Sequence, residues 1–415
     1  MKSILTLSLL LALSTAVAGE EIPVANPPEH TTCGAEPSQG VRNFKLVERW
    51  SAGGADDEEV LFGHITDITQ GSDGHYYVLD ARLKDIKVYT PEGHFDRIIG
   101  RPGEGPGELS IPYSLTGLAD GTIGVSQAFP AKIIALNPDG SPGPVTDLQA
   151  NEAGFLMLSR LIQRGGPLVA AVMRSNFDQK SGTSYLHPAI CTVGENGKLS
   201  DPVWSKSIEL KLEKGFHMRE ADVDTPEQRF ALGPEGQIAL VAPRDETTIH
   251  IFNSDADLIR SIHLETGPWQ RDGKATSFAR HLTKQLARTL GLPGEVQVEK
   301  TEPCVAQLHW AADGNLWLQP GEAVYHQEDG LYTWYEVISP EGEWLMTARI
   351  LLDADPVLDR MVFMPDGRMI LIQGFMDAYF SFLGTKRPLS DGSEREPLKL
   401  VCYELVELDP DIETD

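Results

Sequence analysis

The sequence predicts an all-β fold, a six-bladed β-propeller closed by its N-terminal strand, with one helical insertion between blades four and five. The first observation is a repeat: the turn Asp73–Gly74 returns as Asp120–Gly121, and Pro91–Gly93 returns as Pro138–Gly140, each 47 residues later. The second is that short apolar runs typical of strands separate these turns. The third is that the first turn recurs along the whole chain, which indicates copies of one supersecondary unit.

The first unit contains four predicted strands, at His64–Gln70, Tyr76–Asp80, Ile86–Thr90 and Phe95–Gly100. The second unit runs from Ile111 to about Val145, and the first turns of the later units lie at 165–166, 234–236, 313–314 and 365–367. A lone four-stranded sheet cannot bury both of its apolar faces, whereas sheets packed radially bury them against their neighbours. A β-sandwich would not explain this repeat.

The sixth unit supplies only three strands, at Met361–Met364, Met369–Gln373 and Leu398–Leu408. The segment Phe44–Trp50 is a predicted strand that has no unit of its own. The acidic loop 52–59 follows it, and no hairpin partner is near in the sequence. We therefore expect Phe44–Trp50 to pair with the last strand and to close the ring of sheets.

The ends of the chain indicate export. Lys2, the apolar run Ile4–Leu13 and the small residues Ala16–Ala18 predict a secretory signal over residues 1–18. Residues 19–42 are interpreted as a linker, 43–409 as the propeller and 410–415 as an acidic tail. No later apolar run is long enough to cross a bilayer. The mature protein is expected to be secreted or periplasmic, without membrane insertion, and monomeric.

Composition and motifs narrow the range of functions. With 61 acidic and 35 basic residues the net charge is -26, which repels phosphate backbones and argues against a nucleic-acid partner. No nucleophile elbow, phosphate loop, dinucleotide fingerprint, zinc-protease motif or EF-hand pattern occurs. We therefore predict no cofactor and no metal.

The four cysteines are Cys33, Cys191, Cys304 and Cys402, and no two are spaced as C-x-x-C. Because Cys33 lies shortly before the closing strand and Cys402 lies in its expected partner, a Cys33–Cys402 disulfide is within reach of the chain. The alternative is that all four are unpaired residues of the core or the linker.

The segment Gly100–Leu109, followed by Pro112 and by the turn Asp120–Gly121, resembles the inter-blade linker and turn of the NHL-type six-bladed β-propellers. The resemblance covers units one and two. It implies the fold, but no single activity, because that group includes protein-binding modules, the peptide-amidating lyase and, more distantly, streptogramin lyases and gluconolactonases. The amidating lyase carries metal-binding and catalytic residues on its blade ends, and no matching set occurs in this sequence.

The first strand of each blade lines the central channel of a propeller, so equivalent positions should form a ring. Counting seven residues back from the glycine of each first turn gives Asp67, Ser114, Ser159, Arg229, Gln307 and Arg360, all polar or charged. The next positions are Ile68, Leu115, Arg160, Phe230, Leu308 and Met361, five of them apolar. These polar side chains either line a water-filled channel or bind a ligand, with Asp67 facing Arg229 and Arg360 around a zwitterion or carboxylate.

No catalytic residue is predicted. Asp67 has no carboxylate or histidine beside it in the ring, and a catalytic acid normally needs such a partner or strong desolvation. His64, His281 and His309 are scattered along the chain, and an isolated histidine is more often structural than a metal ligand.

The insertion at about 267–303 contains a predicted helix, Thr276–Leu290. One stripe of this helix is apolar: Phe278, Leu282, Leu286 and Leu290. A second stripe is basic: Arg280, Lys284 and Arg288. The simpler interpretation is a helix docked by its leucines with a solvated basic face, and the functional alternative is a cationic lid over the channel mouth.

The sequence therefore favours an exported, non-catalytic binding module that holds a small anionic or zwitterionic ligand, or a protein partner, at the channel mouth and loop face. One alternative is a propeller enzyme of the lyase or lactonase type that acts at the same mouth. Another is a structural component of a cell-surface assembly.

Overall fold

The computed structural model describes residues 16–21, 28–55, 60–149, 154–178, 183–211, 217–289, 295–326, 328–385 and 397–409. Most of the expected signal segment, the expected acidic tail and Leu290 lie outside these ranges. Strands predominate over helices in the described part of the chain. No helix in these ranges combines the length and the apolar character needed to span a bilayer.

Three strands precede the first repeat: β1 (Ala16–Glu21), β2 (Glu29–Thr32) and β3 (Val41–Gly53). All three lie wholly or partly in the segment that the sequence suggested was a linker, 19–42. The polar, proline-bearing composition of that segment does not predict strands. These strands form because each pairs with a strand that is distant in the sequence.

The first repeat forms an antiparallel sheet of four strands: β4 (Ile65–Gln70), β5 (Tyr76–Asp80), β6 (Asp85–Tyr89) and β7 (Phe95–Ile99). A short parallel pair follows, β8 (Arg101–Pro102) with β9 (Glu108–Leu109). The second repeat forms another antiparallel sheet: β10 (Pro112–Gly117), β11 (Ile123–Gln127), β12 (Lys132–Leu136) and β13 (Pro142–Asp147). The predicted strands of both repeats are confirmed.

The third sheet contains the longest hairpin and is built from β14 (Phe155–Gln163), β15 (Leu168–Asp178), β16 (Thr183–Val193) and β17 (Trp204–Lys211), with a 3-10 turn at Glu195–Gly197. β1 pairs antiparallel with β17 at its outer edge. The segment that follows contains β18 (His217–Arg219) and helix α1 (Glu220–Val223).

The fourth sheet consists of β19 (Phe230–Leu232), β20 (Ile238–Leu240), β21 (Thr247–Phe252) and β22 (Leu258–Leu264), with β2 added in parallel beside β22. Helix α2 (Gly273–Thr289) and β23 (Glu295–Gln297) follow, and β23 pairs with β18. The helix predicted at Thr276–Leu290 is therefore present.

The last sheet has eight strands, because two repeats are joined edge to edge. Its elements are β24 (Val305–Trp310), β25 (Leu316–Pro320), α3 (Glu322–Tyr325), β26 (Leu331–Ile338), β27 (Trp344–Leu351), β28 (Arg360–Phe363), β29 (Met369–Gln373), α4 (Phe375–Phe382) and β30 (Lys399–Glu407). β3 makes the join: its first residues pair in parallel with β27, and the rest pairs antiparallel with β30.

The pairing expected between Phe44–Trp50 and the last strand is found, with Phe44 opposite Glu407 and Trp50 opposite Cys402. The indole of Trp50 then packs on the first sheet, with its ring centroid 5.5 Å from that of Tyr76 and 5.7 Å from that of Tyr89. The first and last parts of the chain thus share one hydrophobic cluster.

The predicted Cys33–Cys402 disulfide is wrong, because all four cysteines are free in the structure. The backbone N–H of Cys33 donates to the carbonyl of His263, so Cys33 lies beside β22 and packs into the core between the fourth and fifth repeats. Cys402 packs with Trp50 between the sixth repeat and the first. The chain before β3 runs along the outer edges of β22 and β27. Cys33 therefore lies beside the fourth repeat, whereas the sequence suggested a position beside Cys402 in the sixth.

The sheets pack face to face through buried apolar residues, and the inner strand of each repeat borders one central cavity. This radial arrangement of antiparallel sheets is that of a β-propeller. We call the end where each first strand turns into the second the turn end, and the opposite end the mouth end. Helices α3 and α4 each follow a second strand, so both lie at the mouth end.

Candidate functional site

The central cavity has a volume of about 200 Å³ and is lined from six inner segments: β4, β10, β14, residues 228–232, β24 and β28. Its wall carries four charged side chains, namely Asp67, Arg160, Arg164 and Arg360. Gln228, Gln307 and His309 add polar groups. The channel predicted from the repeat therefore exists, and polar residues from several repeats meet in it.

Three of the six predicted ring residues line this cavity: Asp67, Gln307 and Arg360. Ser114 and Ser159 are instead buried between strands. The hydroxyl of Ser114 donates to Ser126 Oγ over 3.0 Å and accepts from the Leu161 N–H. The hydroxyl of Ser159 lies 2.6 Å from Glu227 Oε1, to which it donates.

Arg160 takes the place that the sequence assigned to Ser159. A bulge interrupts the inner strand in four repeats, between 65 and 67, 112 and 114, 158 and 160, and 305 and 307. In the third repeat the bulge lies one residue nearer to the turn glycine than in the other three. The bulge in β14 therefore turns Arg160 to the channel. The sequence held one signal of this: Arg160 is the only charged residue in the row that was expected to be apolar.

Arg229 does not face the channel, so the predicted opposition of Asp67 and Arg229 is wrong. Arg229 is 3% exposed and its Nη2 donates to Asp224 Oδ2 over 2.5 Å. The inner strand of the fourth repeat has only three residues, Phe230–Leu232, and Arg229 precedes it in a turn closed by its N–H to the Pro226 carbonyl. The position seven residues before the turn glycine is therefore not on the channel wall in this repeat.

Two guanidinium groups of the cavity, those of Arg160 and Arg360, are held by backbone carbonyls. Arg360 Nη1 donates to the Thr66 carbonyl over 3.1 Å, and the group lies 5.2 Å from the centroid of the Phe375 ring. Arg160 Nη1 donates to the carbonyls of Glu227 and Phe230. Among the described residues, neither group forms an ion pair with a carboxylate. Both groups act electrostatically on Asp67, and Arg160 also acts on Glu227.

The carboxylates near these groups have altered pKa values. Burial raises the pKa of Asp67, although Arg360, the Leu115 N–H and Arg160 act in the opposite direction. Burial also raises the pKa of Glu227, opposed by its hydrogen bond from Ser159 and by Arg160. Burial lowers the pKa of Arg160 to about 10, which leaves it charged at neutral pH.

Two histidines near the channel are neutral at pH 7. Burial, reinforced by Arg160 and Arg360, lowers the pKa of His309 to about 3. Its ring stacks on Phe363 with centroids 4.2 Å apart, and Nε2 lies 3.1 Å from Gln307 Oε1. Burial lowers the pKa of His64 to about 4, partly opposed by Asp80.

The turn end of the channel is crossed by Arg164. Its Nη1 donates to the carbonyls of Leu232 and Trp310, and its Nη2 to the Ala311 carbonyl over 3.4 Å. These bonds tie the third repeat to the fourth and fifth across the channel. The three arginines and one aspartate give the lining a formal charge of +2 in a protein of net charge -26.

Helix α2 lies at the mouth end and joins two distant parts of the fold. Phe278 and His281 contact Phe380 of α4, with ring centroids 6.2 and 5.1 Å apart. Near its other end, Ala287 packs with Ile208 of β17 and Met218 of β18. The helix therefore bridges α4 and the third sheet.

The buried stripe of α2 differs from the predicted leucine stripe. The residues packed inward are Ala275, Phe278, Ala279, Thr283 and Ala287. Leu286 is 40% exposed and so does not belong to the buried stripe. Arg280, Lys284 and Arg288 are exposed and do not line the cavity.

Asp359, beside the N-terminus of α4, gives a pH-dependent prediction. Burial raises its pKa to about 6, against hydrogen bonds from the N–H groups of Gly374 and Asp355. Its contribution to stability is full below its unfolded pKa of about 4 and is lost as the pH rises through 6. We expect Asp359→Asn to raise the free energy of unfolding by about 1 to 3 kcal/mol at pH 7 and by little at pH 4.

Denaturant unfolding at the two pH values measures this difference. Asp255→Asn is the control, because Asp255 is exposed in a turn between β21 and β22 and should change stability little at either pH. An equal effect of Asp359→Asn at both pH values would contradict the prediction.

The described residues contain no group of three or more His, Cys, Asp or Glu side chains arranged to hold a metal ion. The site therefore consists of hydrogen-bond donors, two carboxylates with raised pKa values and neutral histidines. Such a set can bind an anion and can hold a proton on Asp67 or Glu227.

No protein-family model matches this sequence, and no curated protein does. Among solved structures, a Bacteroides fragilis protein thought to be exported is 11% identical, with a TM-score of 0.46 over 91% of this chain and 99% of that one. A luciferin-regenerating enzyme and a gluconolactonase from Xanthomonas campestris are each 12% identical, with a TM-score of 0.42 over 86% of this chain and 97% of theirs. Similarity this low carries no argument about function.

Proposed function

We propose that this protein binds a small carboxylate or zwitterion in its central channel and that it acts as a binding module without catalysis. The observation that carries the proposal is the pair Arg160 and Arg360, which share one cavity and form no direct ion pair with a carboxylate among the described residues. Guanidinium groups in this state bind a carboxylate through charge-assisted hydrogen bonds. Asp67 supplies a negative group for the ammonium end of a zwitterion.

The electrostatic field favours the same type of ligand. A cavity with a formal charge of +2 inside a strongly acidic protein concentrates anions, because low-dielectric walls focus the field of the arginines. At about 200 Å³ the cavity is smaller than the roughly 300–1,000 Å³ of sites for drug-sized molecules. The group bound inside the channel is therefore small.

The architecture that we propose for this function is a six-bladed propeller of the NHL type, closed by β3, in a protein exported to the periplasm or the outside of the cell as a monomer. The six inner segments around one cavity and the pairing of β3 with β30 support it. We also propose that α2, which bridges α4 and the third sheet, covers part of the mouth as a lid with Arg280, Lys284 and Arg288 on its outer face. Nucleic acid is excluded from the proposal by the charge of the protein.

The test is a titration with acetate and glycine at constant ionic strength, followed by thermal unfolding and calorimetry. We expect both ligands to stabilise the protein as mass action requires. Arg360→Gln should weaken binding about 10- to 100-fold, the loss typical of a charged hydrogen bond. Lys45→Gln, at an exposed position of the outer strand β3 and away from the cavity, is the matched control and should leave binding unchanged. No binding of either ligand, or equal binding by Arg360→Gln, would refute the proposal.

A propeller enzyme of the lyase or lactonase type is the second candidate. The observation that favours it is that Asp67 and Glu227 both have raised pKa values beside Arg160, and such groups serve as general acids. Native mass spectrometry and metal analysis separate the two candidates. Stoichiometric Ca²⁺ or Zn²⁺ on the native protein would favour the enzyme.

A further inference from the structure

We propose that the ligand's carboxylate carries an aromatic or aliphatic group, and that this group lies against aromatic side chains at the mouth while the carboxylate contacts Arg160 and Arg360. The inference rests on the proposed anion site. It adds the chemical class of the other half of the ligand and the residues that recognise it.

The route of entry is the first step of the argument. Arg164 lies at the turn end and bonds to carbonyls of two other repeats, so its side chain narrows the channel there. We take the mouth end as the route of entry, because Arg160 and Arg360 lie nearer to that end of their strands than Arg164 does. Because the cavity of about 200 Å³ holds only a small group, the remainder of a larger ligand extends into the mouth.

Aromatic rings surround the mouth next to Arg360. The Phe375 ring lies against the guanidinium of Arg360. Tyr379 and Phe382, on the same helix α4, have ring centroids 5.8 and 5.1 Å from that of His64. Phe382 is 48% exposed, so an apolar ring beside a cationic channel faces solvent.

Tyr113 stands at the mouth on another repeat. It lies next to Ser114 on β10 and is 46% exposed, yet neighbouring protein raises its pKa, first by desolvation and then through the charge of Glu227. A side chain that is both exposed to solvent and surrounded by protein is typical of the wall of a concave mouth. A further pair of rings, Phe129 and Phe155, stacks with centroids 4.2 Å apart, and Phe155 lies on β14, the strand that carries Arg160.

The chemistry of this wall is apolar at neutral pH. His64 is uncharged there because burial lowers its pKa to about 4. Tyr379 and Phe382 therefore pack around a neutral ring, whereas Phe375 contacts the cation Arg360. An apolar ligand group that covers Phe382 and Tyr113 removes their exposed surface from water, which is favourable in proportion to the area covered. The polar groups deeper in the channel fix orientation, as is usual in small-molecule sites.

The experiment compares acetate, 3-phenylpropionate and the neutral alcohol 3-phenylpropanol by ligand-observed NMR and calorimetry on the full-length mature chain. We expect 3-phenylpropionate to bind at least about tenfold more tightly than acetate, because its ring buries apolar surface. The alcohol should bind much more weakly than the acid.

Two variants identify the rings. Phe382→Ala and Tyr113→Ala should each weaken 3-phenylpropionate about 3- to 10-fold and leave acetate unchanged. Phe95→Ala is the matched control: Phe95 is 42% exposed on β7, away from the channel, and its loss should affect neither ligand. Two variants are used so that a local disturbance of the fold by one of them does not decide the result, and circular dichroism checks both.

The outcomes separate the two proposals. Equal affinity for acetate and 3-phenylpropionate would overturn the inference and leave the anion site standing. Failure of both acids to bind would overturn the anion site and the inference with it. Tight binding of the alcohol that Arg360→Gln does not change would show that the rings act without the arginines, which also overturns the inference.

Discussion

Replacing Arg271 by methionine is expected to lower the free energy of unfolding by about 3 to 5 kcal/mol, the loss typical of breaking a buried ion pair. Arg271 is 2% exposed as a side chain. Its Nη1 and Nη2 donate to Glu220 over 2.6 and 2.7 Å, and its Nε donates to Glu302. Methionine leaves both carboxylates buried without their main partner.

The physical reason lies in what Arg271 connects. It joins α1 to the segments before and after α2, and its Nη1 also donates to the Glu299 carbonyl over 3.1 Å. The hydrogen bonds and charge of the two glutamates raise the pKa of Arg271, so it remains charged. The loss should therefore appear as early exposure of the α2 segment to proteolysis as well as lower global stability.

Denaturant unfolding and limited proteolysis measure these effects. Arg280→Met is the matched control on the exposed face of α2 and should change stability by less than about 0.5 kcal/mol. Adding Glu220→Gln to Arg271→Met should restore part of the stability, because the main cost is an uncompensated buried charge. A change below about 1 kcal/mol for Arg271→Met would mean that water reaches the network.

The second large effect is expected at Gly93. Gly93 has φ +88°, and a Cβ built there would overlap the indole of Trp50. Gly93→Ala should destabilise the protein by about 2 to 5 kcal/mol, because left-handed backbone costs about 1 to 2 kcal/mol and overpacking about 1 to 3 kcal/mol.

Gly74→Ala is the control for the backbone cost alone. Gly74 has φ +81°, but the nearest atom to its Cβ would be Pro91 Cγ at an ordinary 3.6 Å. This variant should lose only about 1 to 2 kcal/mol. If both variants lost the same amount, Trp50 would not pack on this turn, and closure of the ring by β3 would be in doubt.

The sequence by itself determined the repeat, the strands of the first two repeats, the helix α2 and the partner of Phe44–Trp50. These features depend on local signals: glycine and aspartate in turns, apolar periodicity, and one strand without a neighbour. The same signals placed Asp67, Gln307 and Arg360 on the channel wall, because turns of constant length keep the register of a strand.

Only the tertiary structure decided which residues complete the site and how the chain ends are held. A one-residue bulge in β14 places Arg160 rather than Ser159 on the channel wall. The inner strand of the fourth repeat has only three residues, so Arg229 precedes it and donates a hydrogen bond to Asp224. Neither change leaves a strong mark in the sequence, because a bulge is set by pairing with the next strand. The position of Cys33 beside β22 was hidden for the same reason: the strand partners of β2, which directly precedes Cys33, are more than 200 positions away, and local sequence carries no information about them.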